Sequence, residues 1–169
     1  MKRLFLLRHA KSSWDDPDMA DRDRPLNARG LRDAPRMAAY MASHGYAPDI
    51  ALCSPSVRTR ETLDALIPAV GEFPISYPEA LYLAPPDTIR ALIADLDDNY
   101  SAALVVGHNP GMGTLAAQIT DFEELEDARQ VNKFPTAALA VYETDAETWQ
   151  TAMAARLKLI DFMTPKALP

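Results

Sequence analysis

Three short apolar runs constrain this chain more than any other feature: residues 3–7 (RLFLL), 49–53 (DIALC) and 102–106 (AALVV). Each is too short for a helix and too continuous for a half-exposed strand, so each reads as a strand buried on both faces. Helix-period segments separate them. One opens at Asn27, carries Leu31, Ala34, Ala38 and Met41 on one stripe, and closes at Gly45, with Pro35 expected to kink its first turns. A second runs from about Ser56 to Ile67 and ends at Pro68, and a third opens at Pro86-Asp87 with Ile89, Leu92, Ile93 and Leu96 on one face. A fourth runs from Asn109-Pro110 to about Thr120, with the proline at the favoured first position. Residues 74–77 add a short strand, and 137–142 and 154–160 close the chain as two strands with no helix between them, an antiparallel edge. The expected architecture is α/β: one domain over residues 1–169, with a mostly parallel sheet covered by helices on both faces.

Ligands of such sheets bind beyond the carboxyl ends of the strands. Three of those ends carry reactive or cationic residues: Arg8-His9, the segment Ser54 to Arg58, and His108. A histidine at a strand end is often only a packing or capping group. Two of the chain's three histidines in this position, one after Arg and one after Gly at a helix start, point instead to a shared catalytic rim, and the physics of a phosphate site fits it. A phosphoryl group in transfer carries negative charge on its equatorial oxygens, which fixed cations stabilise. Arg8 and Arg58 offer planar forks for two oxygens each. A neutral imidazole attacks phosphorus directly, so His9 is the candidate nucleophile and His108 a candidate donor to the phosphoryl oxygens. The helix start near Pro110 adds a positive dipole end.

The totals exclude other classes. A net charge of −7 argues against broad binding to nucleic acid or an anionic membrane. The single cysteine, Cys53, rules out an internal disulfide and fits a reducing compartment. The apolar part of MKRLFLL, Leu4 to Leu7, is too short for an export signal, and no later run is long enough for a helical membrane span, so a soluble cytoplasmic domain is expected. A cysteine-phosphatase loop would need Arg after five intervening residues, at position 59, but that position is Thr59, with Arg58 one residue too early and Arg60 one too late. Residues 107–114 (GHNPGMGT) lack the lysine of a nucleotide P-loop, and no Gly-x-Ser-x-Gly elbow occurs. No His, Cys or carboxylate cluster has metal-ligand spacing, so neither metal nor cofactor is expected.

Four strings, in order along residues 4–113, then make a resemblance specific: LLRHAKSSW (6–14), DRPLNARG (23–30), SPSVRTRET (54–62) and VVGHNPGM (105–112). Together they resemble the histidine phosphatase, or phosphoglycerate-mutase-like, superfamily, and within it the SixA-like phosphohistidine phosphatases, where Ala often follows the first histidine as Ala10 does here. The resemblance implies a phosphohistidine intermediate at His9, a pocket of Arg8, Arg58 and His108, a mostly parallel sheet, and no metal. Many relatives use a carboxylate between the second arginine motif and the second histidine to protonate the leaving group. Glu79, in YPEALYLAPPD, falls in that interval; it is either that acid or a solvated loop carboxylate.

Some neighbours read either way. Lys11 and Ser12 touch phosphate or lie in an exposed loop, and Trp14 walls a pocket or packs in the core. Asp15 would repel phosphate and is left out, Arg22 and Arg24 are expected to pair with Asp21 and Asp23, and Arg60 faces elsewhere. His44 complements a helix end. Three functions follow: a phosphatase of protein phosphohistidine, a phosphomonoesterase of a small sugar or nucleotide phosphate, or a non-catalytic module that binds phosphorylated partners. Oligomeric state is not legible. A mutase is disfavoured, since it needs further basic residues for a second phosphate.

Overall fold

The first apolar run becomes the strand β1 (Lys2–Arg8), whose Leu4 to Leu7 are at most 1% exposed. The chain continues through α1 (Ala28–Ser43), β2 (Ile50–Cys53), α2 (Val57–Val70), β3 (Ile75–Ser76), α3 (Pro86–Ala94), β4 (Ala102–Gly107), α4 (Gly111–Ile119), β5 (Leu139–Thr144), α5 (Trp149–Ala154) and β6 (Lys158–Met163). Single 3-10 turns sit at Asp21–Asp23 and Glu79–Leu81. The computed structural model describes residues 1–122, 131 and 133–169.

The strands form one sheet in the order β3-β2-β4-β1-β5-β6. The first four in that order are parallel, β5 runs antiparallel to β1, and β6 runs antiparallel to β5. Alternation along β1 divides the core between two faces. Leu4 and Leu6 pack with Ile89, Ile93, Leu115 and Trp149 of α3, α4 and α5. Phe5 and Leu7 pack with Met37, Met41, Leu63 and Leu66 of α1 and α2. The helices thus cover both faces, as the alternation of elements requires.

The structure departs from the sequence expectations where tertiary contacts outweigh local pattern. A short helix, α5, does separate the last two strands. The Thr148 side chain caps it by accepting from Thr151 N, and buried Trp149 anchors it, its Nε1 donating to Tyr100 O at 3.0 Å. This helix takes the start of the expected 154–160 segment and moves the strand to 158–163. Leu31 is 60% exposed, and Met37 takes its place on the buried stripe of α1. Pro35 lies within α1 on its exposed side, where the loss of one backbone donor faces solvent rather than the core. Helix α2 likewise runs past Pro68 to Val70, while Pro110 is the N-cap of α4 rather than its first residue. No helix among the described residues is long and apolar enough to cross a membrane.

The segment after β1 is clamped onto the start of α1. Asn27 N donates to Lys11 O at 2.9 Å, the Asn27 side chain accepts from Gly30 N at 2.9 Å, and Ser12 bridges to Leu26. Gly30 lies so close to Lys11 that an added Cβ would overlap the Lys11 carbonyl oxygen. Gly30→Ala must push backbone apart and is expected to lower unfolding free energy by about 1–3 kcal/mol, the usual cost of overpacking. Urea unfolding measures this, and an unchanged midpoint would contradict the clamp.

Candidate active site

Strands β2, β4 and β1 lie side by side, with Arg8 opposite Gly107 and Cys53 opposite Val106. The residues that follow, His9, His108 and Ser54, therefore line one rim of the sheet. All three are buried, at 7%, 2% and 0% exposure. The two imidazole rings lie 5.2 Å apart, centroid to centroid, tilted by 56°.

Hydrogen bonds fix the tautomers. His9 Nδ1 is 2.7 Å from Ala10 O. A carbonyl only accepts, so Nδ1 carries the proton and Nε2 keeps its lone pair, to which Arg58 Nε donates at 3.4 Å. Arg58 Nη2 also lies 3.3 Å from His108 Nδ1; a guanidinium only donates, so that nitrogen accepts and His108 Nε2–H donates to Ser54 Oγ at 2.6 Å. Burial pushes His9 down to about 4; the Ala10 carbonyl opposes this, and the charges of Arg58, Arg8 and Arg24 add to it. Burial, then His9, Arg58 and Arg8, push His108 down to about 3 against the pull of Asp21. Both imidazoles are neutral at pH 7.

Arg58 comes from the first turn of α2, which starts right after the Ser54-Pro55 turn, and is 3% exposed. One edge of its guanidinium faces the two histidines. The other is held by Asp21, whose backbone O accepts from Nη1 at 2.6 Å and whose Oδ2 accepts from Nη2 at 3.0 Å. Tyr82 OH donates to the same Asp21 oxygen, and its ring meets His108 edge-on at 5.4 Å. Burial favours the neutral form of Asp21, but hydrogen bonds from Tyr82 and Arg58 and the charges of Arg58 and Arg24 outweigh it, so the carboxyl stays below its ordinary range. Arg8 Nη1 donates to Phe134 O at 3.2 Å, while its buried Nε makes no hydrogen bond among the described residues. A buried cationic donor left unsatisfied is costly unless an anion comes to meet it. Burial and the nearby Arg58 charge lower the Arg8 pKa.

A cavity of about 200 Å³ opens above this rim, lined by His9, His108 and four cations, Arg8, Lys11, Arg24 and Arg58. Among the described residues no carboxylate lines it, although the chain as a whole is acidic. Ser12, Trp14, Leu83, Asn109 and Thr136 complete the wall. The backbone N–H groups that begin α4 are largely used within the chain: Met112 N donates to His108 O and Gly113 N to Asn109 Oδ1. The arrangement offers one unprotonated ring nitrogen among fixed positive groups, which is what an incoming tetrahedral oxyanion requires.

The structure brings together His9, Arg8, Arg58 and His108. It does not bring Glu79 to them: Glu79 is exposed and held fork to fork by Arg22, both contacts 2.7 Å, and that hydrogen bond keeps its carboxyl ionised, unsuited to donate a proton. Arg22 thus pairs with Glu79 rather than with an aspartate of its own segment. Sequence reasoning missed Arg24, Asp21 and Tyr82. Arg24 does pair with Asp21, at 3.0 Å, yet also reaches Ser12 Oγ and lines the cavity, 6% exposed. Its signal was the position of DRDR directly behind a strand end that carries Arg-His. Trp14 is not in the core; it is a 71% exposed cavity wall. Cys53 is buried and its thiol is pushed up to about 12, mainly by burial, so it is inert. Arg60 stacks over Tyr77, and His44 caps α1 between Tyr40 and Tyr46, all away from the cavity. Among the described residues no group of three or more His, Cys, Asp or Glu side chains could hold a metal ion.

Comparison with known proteins places this chain in a family. The model of the histidine phosphatase superfamily (branch 1) matches residues 4–82. An uncharacterized protein of Mycobacterium leprae is 36% identical over 95% of this chain and 100% of its own. A candidate phosphohistidine phosphatase SixA from Agrobacterium tumefaciens superposes with a TM-score of 0.83 at 35% identity, covering 97% of this chain and 98% of that one. The protein histidine phosphatase SixA complexed with tungstate shares the fold, with a TM-score of 0.79 at 22% identity over 99% of both chains. The chain belongs to the histidine phosphatase superfamily and is a SixA-like phosphatase.

Proposed function

We propose that this phosphatase works through a phosphohistidine on His9 and that its substrate is a protein phosphohistidine. The observation that carries the reading is the fixed tautomer of His9: its Nδ1–H is committed to Ala10 O, and its lone pair on Nε2 meets Arg58 at the cavity. In the first step Nε2 attacks phosphorus, the Nε2–P bond forms, and the N–P bond of the substrate breaks. The departing imidazole takes its proton from water. In the second step water attacks phosphorus, the Nε2–P bond breaks, and inorganic phosphate leaves with the proton released to solvent. Arg8 and Arg58 hold the phosphoryl oxygens, and His108 joins them once binding of the anion favours its protonation. No carboxylate acid is assigned; an imidazole leaving group, unlike an alkoxide, departs readily once its other nitrogen is protonated. This chemistry agrees with the ion-paired Glu79 and the depressed Asp21.

Three outcomes are expected. Brief reaction with radiolabelled phosphoimidazole leaves label on the protein that survives base and is lost in acid, and His9→Ala removes both label and turnover; residual activity within about tenfold of the parent, roughly 1.4 kcal/mol of barrier, would count against His9 as nucleophile. Arg58→Ala loses about 3 kcal/mol of transition-state stabilisation, the scale of a deleted oxyanion donor, and an unchanged kcat/KM would take Arg58 out of the mechanism. The pH profile follows from the depressed imidazoles. Protonation of His9 removes its lone pair, so kcat/KM, corrected for substrate ionisation, holds level from neutrality down to about pH 5 and falls through about 4. A fall centred near 6.5 would mean that the free enzyme carries an ordinary histidine there.

A further inference from the structure

The cavity floor is cationic, yet two large apolar side chains in its wall stand in solvent. Trp14 is 71% exposed and Leu83 is 52% exposed, and both line the cavity that holds His9. Neither is loosely held. The guanidinium of Arg24 stacks 3.3 Å over the Trp14 ring, and Arg24 is itself 6% exposed and tied to Asp21 and to Ser13 O. Leu83 sits at φ 49, a left-handed backbone unusual for a branched residue. It is held there from both sides: Tyr82 OH bonds Asp21, and the Ala84 carbonyl packs so close to Gly111 that an added Cβ would overlap it. Strained backbone that its surroundings hold in place clusters at active sites and ligand clamps.

We infer that Trp14 and Leu83 form the leaving-group subsite of this phosphatase and select a flat ring, the imidazole of the phosphohistidine, over a small polar alkoxide. This rests on the function proposed above. The physical case is one of division of labour. Arg8, Arg58, His9 and His108 line the cavity that takes the phosphoryl group in that function, and in-line attack by His9 sends the leaving group out on the side away from His9; Trp14 and Leu83 are the exposed apolar residues of the same wall. One face of the Trp14 ring is taken by Arg24, and the indole still presents wide apolar area to solvent. An aromatic leaving group gains stacking there and shields that area from water. A glycerol or serine leaving group has no flat face to offer.

The test compares substrates in the full-length protein. Phosphoimidazole, a phosphohistidine peptide and p-nitrophenyl phosphate present rings; glycerol phosphate and phosphoserine do not. Trp14→Ala is expected to lower kcat/KM on the ring substrates about tenfold more than on glycerol phosphate, the scale of one lost aromatic stack. Trp14→Phe should restore most of the loss, and Leu83→Ala should act in the same direction as Trp14→Ala. A loss confined to the peptide, with free phosphoimidazole unaffected, would assign Trp14 to protein contact instead and overturn the ring subsite. Equal losses on ring and non-ring substrates, with weaker phosphate inhibition, would also overturn it, because Trp14 would then act only by holding Arg24. If the parent enzyme turns over p-nitrophenyl phosphate but neither imidazole donor, the proposed substrate fails. In that case the comparison of aryl with glycerol phosphate still decides the subsite.

Discussion

The parallel pairing of β1 with β4 is the constraint on which the rest depends. Its register sets Arg8 opposite Gly107, and so the next residue of each strand, His9 and His108, must share one rim. Parallel strands need a crossover between them, and here the crossovers bring α1, β2, α2 and α3 around the sheet, with β2 on the other side of β4. The turn after β2 then delivers Ser54 to His108 and Arg58 to both histidines. A slip of the register by one residue would exchange the two faces of β1 and lose the core before it lost the site. The packing of Leu4 to Leu7 and the geometry of the imidazoles are in this sense one problem.

The electrostatics are local rather than global. A chain of net charge −7 maintains a cavity with four cations and no carboxylate in its described wall. Asp21 makes this workable from behind: it takes the outer edge of Arg58 and leaves the inner edge toward the two histidines, and it takes one nitrogen of Arg24, whose other two bond Ser13 O and Ser12 Oγ. The guanidinium groups are thereby oriented without being neutralised at the edge that an anion would meet. Burial of His9 and His108 among these cations keeps both rings neutral, which suits one as a nucleophile and leaves the other able to gain a proton when negative charge arrives.

What the sequence made legible follows from period and position. The buried runs located β1, β2 and β4, and the residues just past their ends located His9, Arg8, Arg58 and His108. The illegible parts depend on partners distant in the chain. Whether Glu79 meets the site or an arginine is decided by Arg22, far away in sequence, and Arg24 reads as a plain ion-pair residue until its loop is seen folded back on Ser12 and Ser13. Helix α5 is one and a half turns long, too short for a periodic signal, and exists because Trp149 is buried against Tyr100 and Asp98. Leu31 fits the helical stripe but sits at its solvent edge, and Trp14, a natural core residue by composition, is held outside by Arg24. Pro35 and Pro68 read as breaks, yet both helices continue through them, since packing along the rest of each helix outweighs one missing hydrogen bond.

The protonation state of His9 in the resting protein tests the account most directly. Nitrogen NMR of the imidazoles at neutral pH should find a neutral His9 ring protonated at Nδ1 and bare at Nε2, as the Ala10 carbonyl requires. A ring protonated at Nε2, or an imidazolium at pH 7, would leave no lone pair at the cavity and would contradict it.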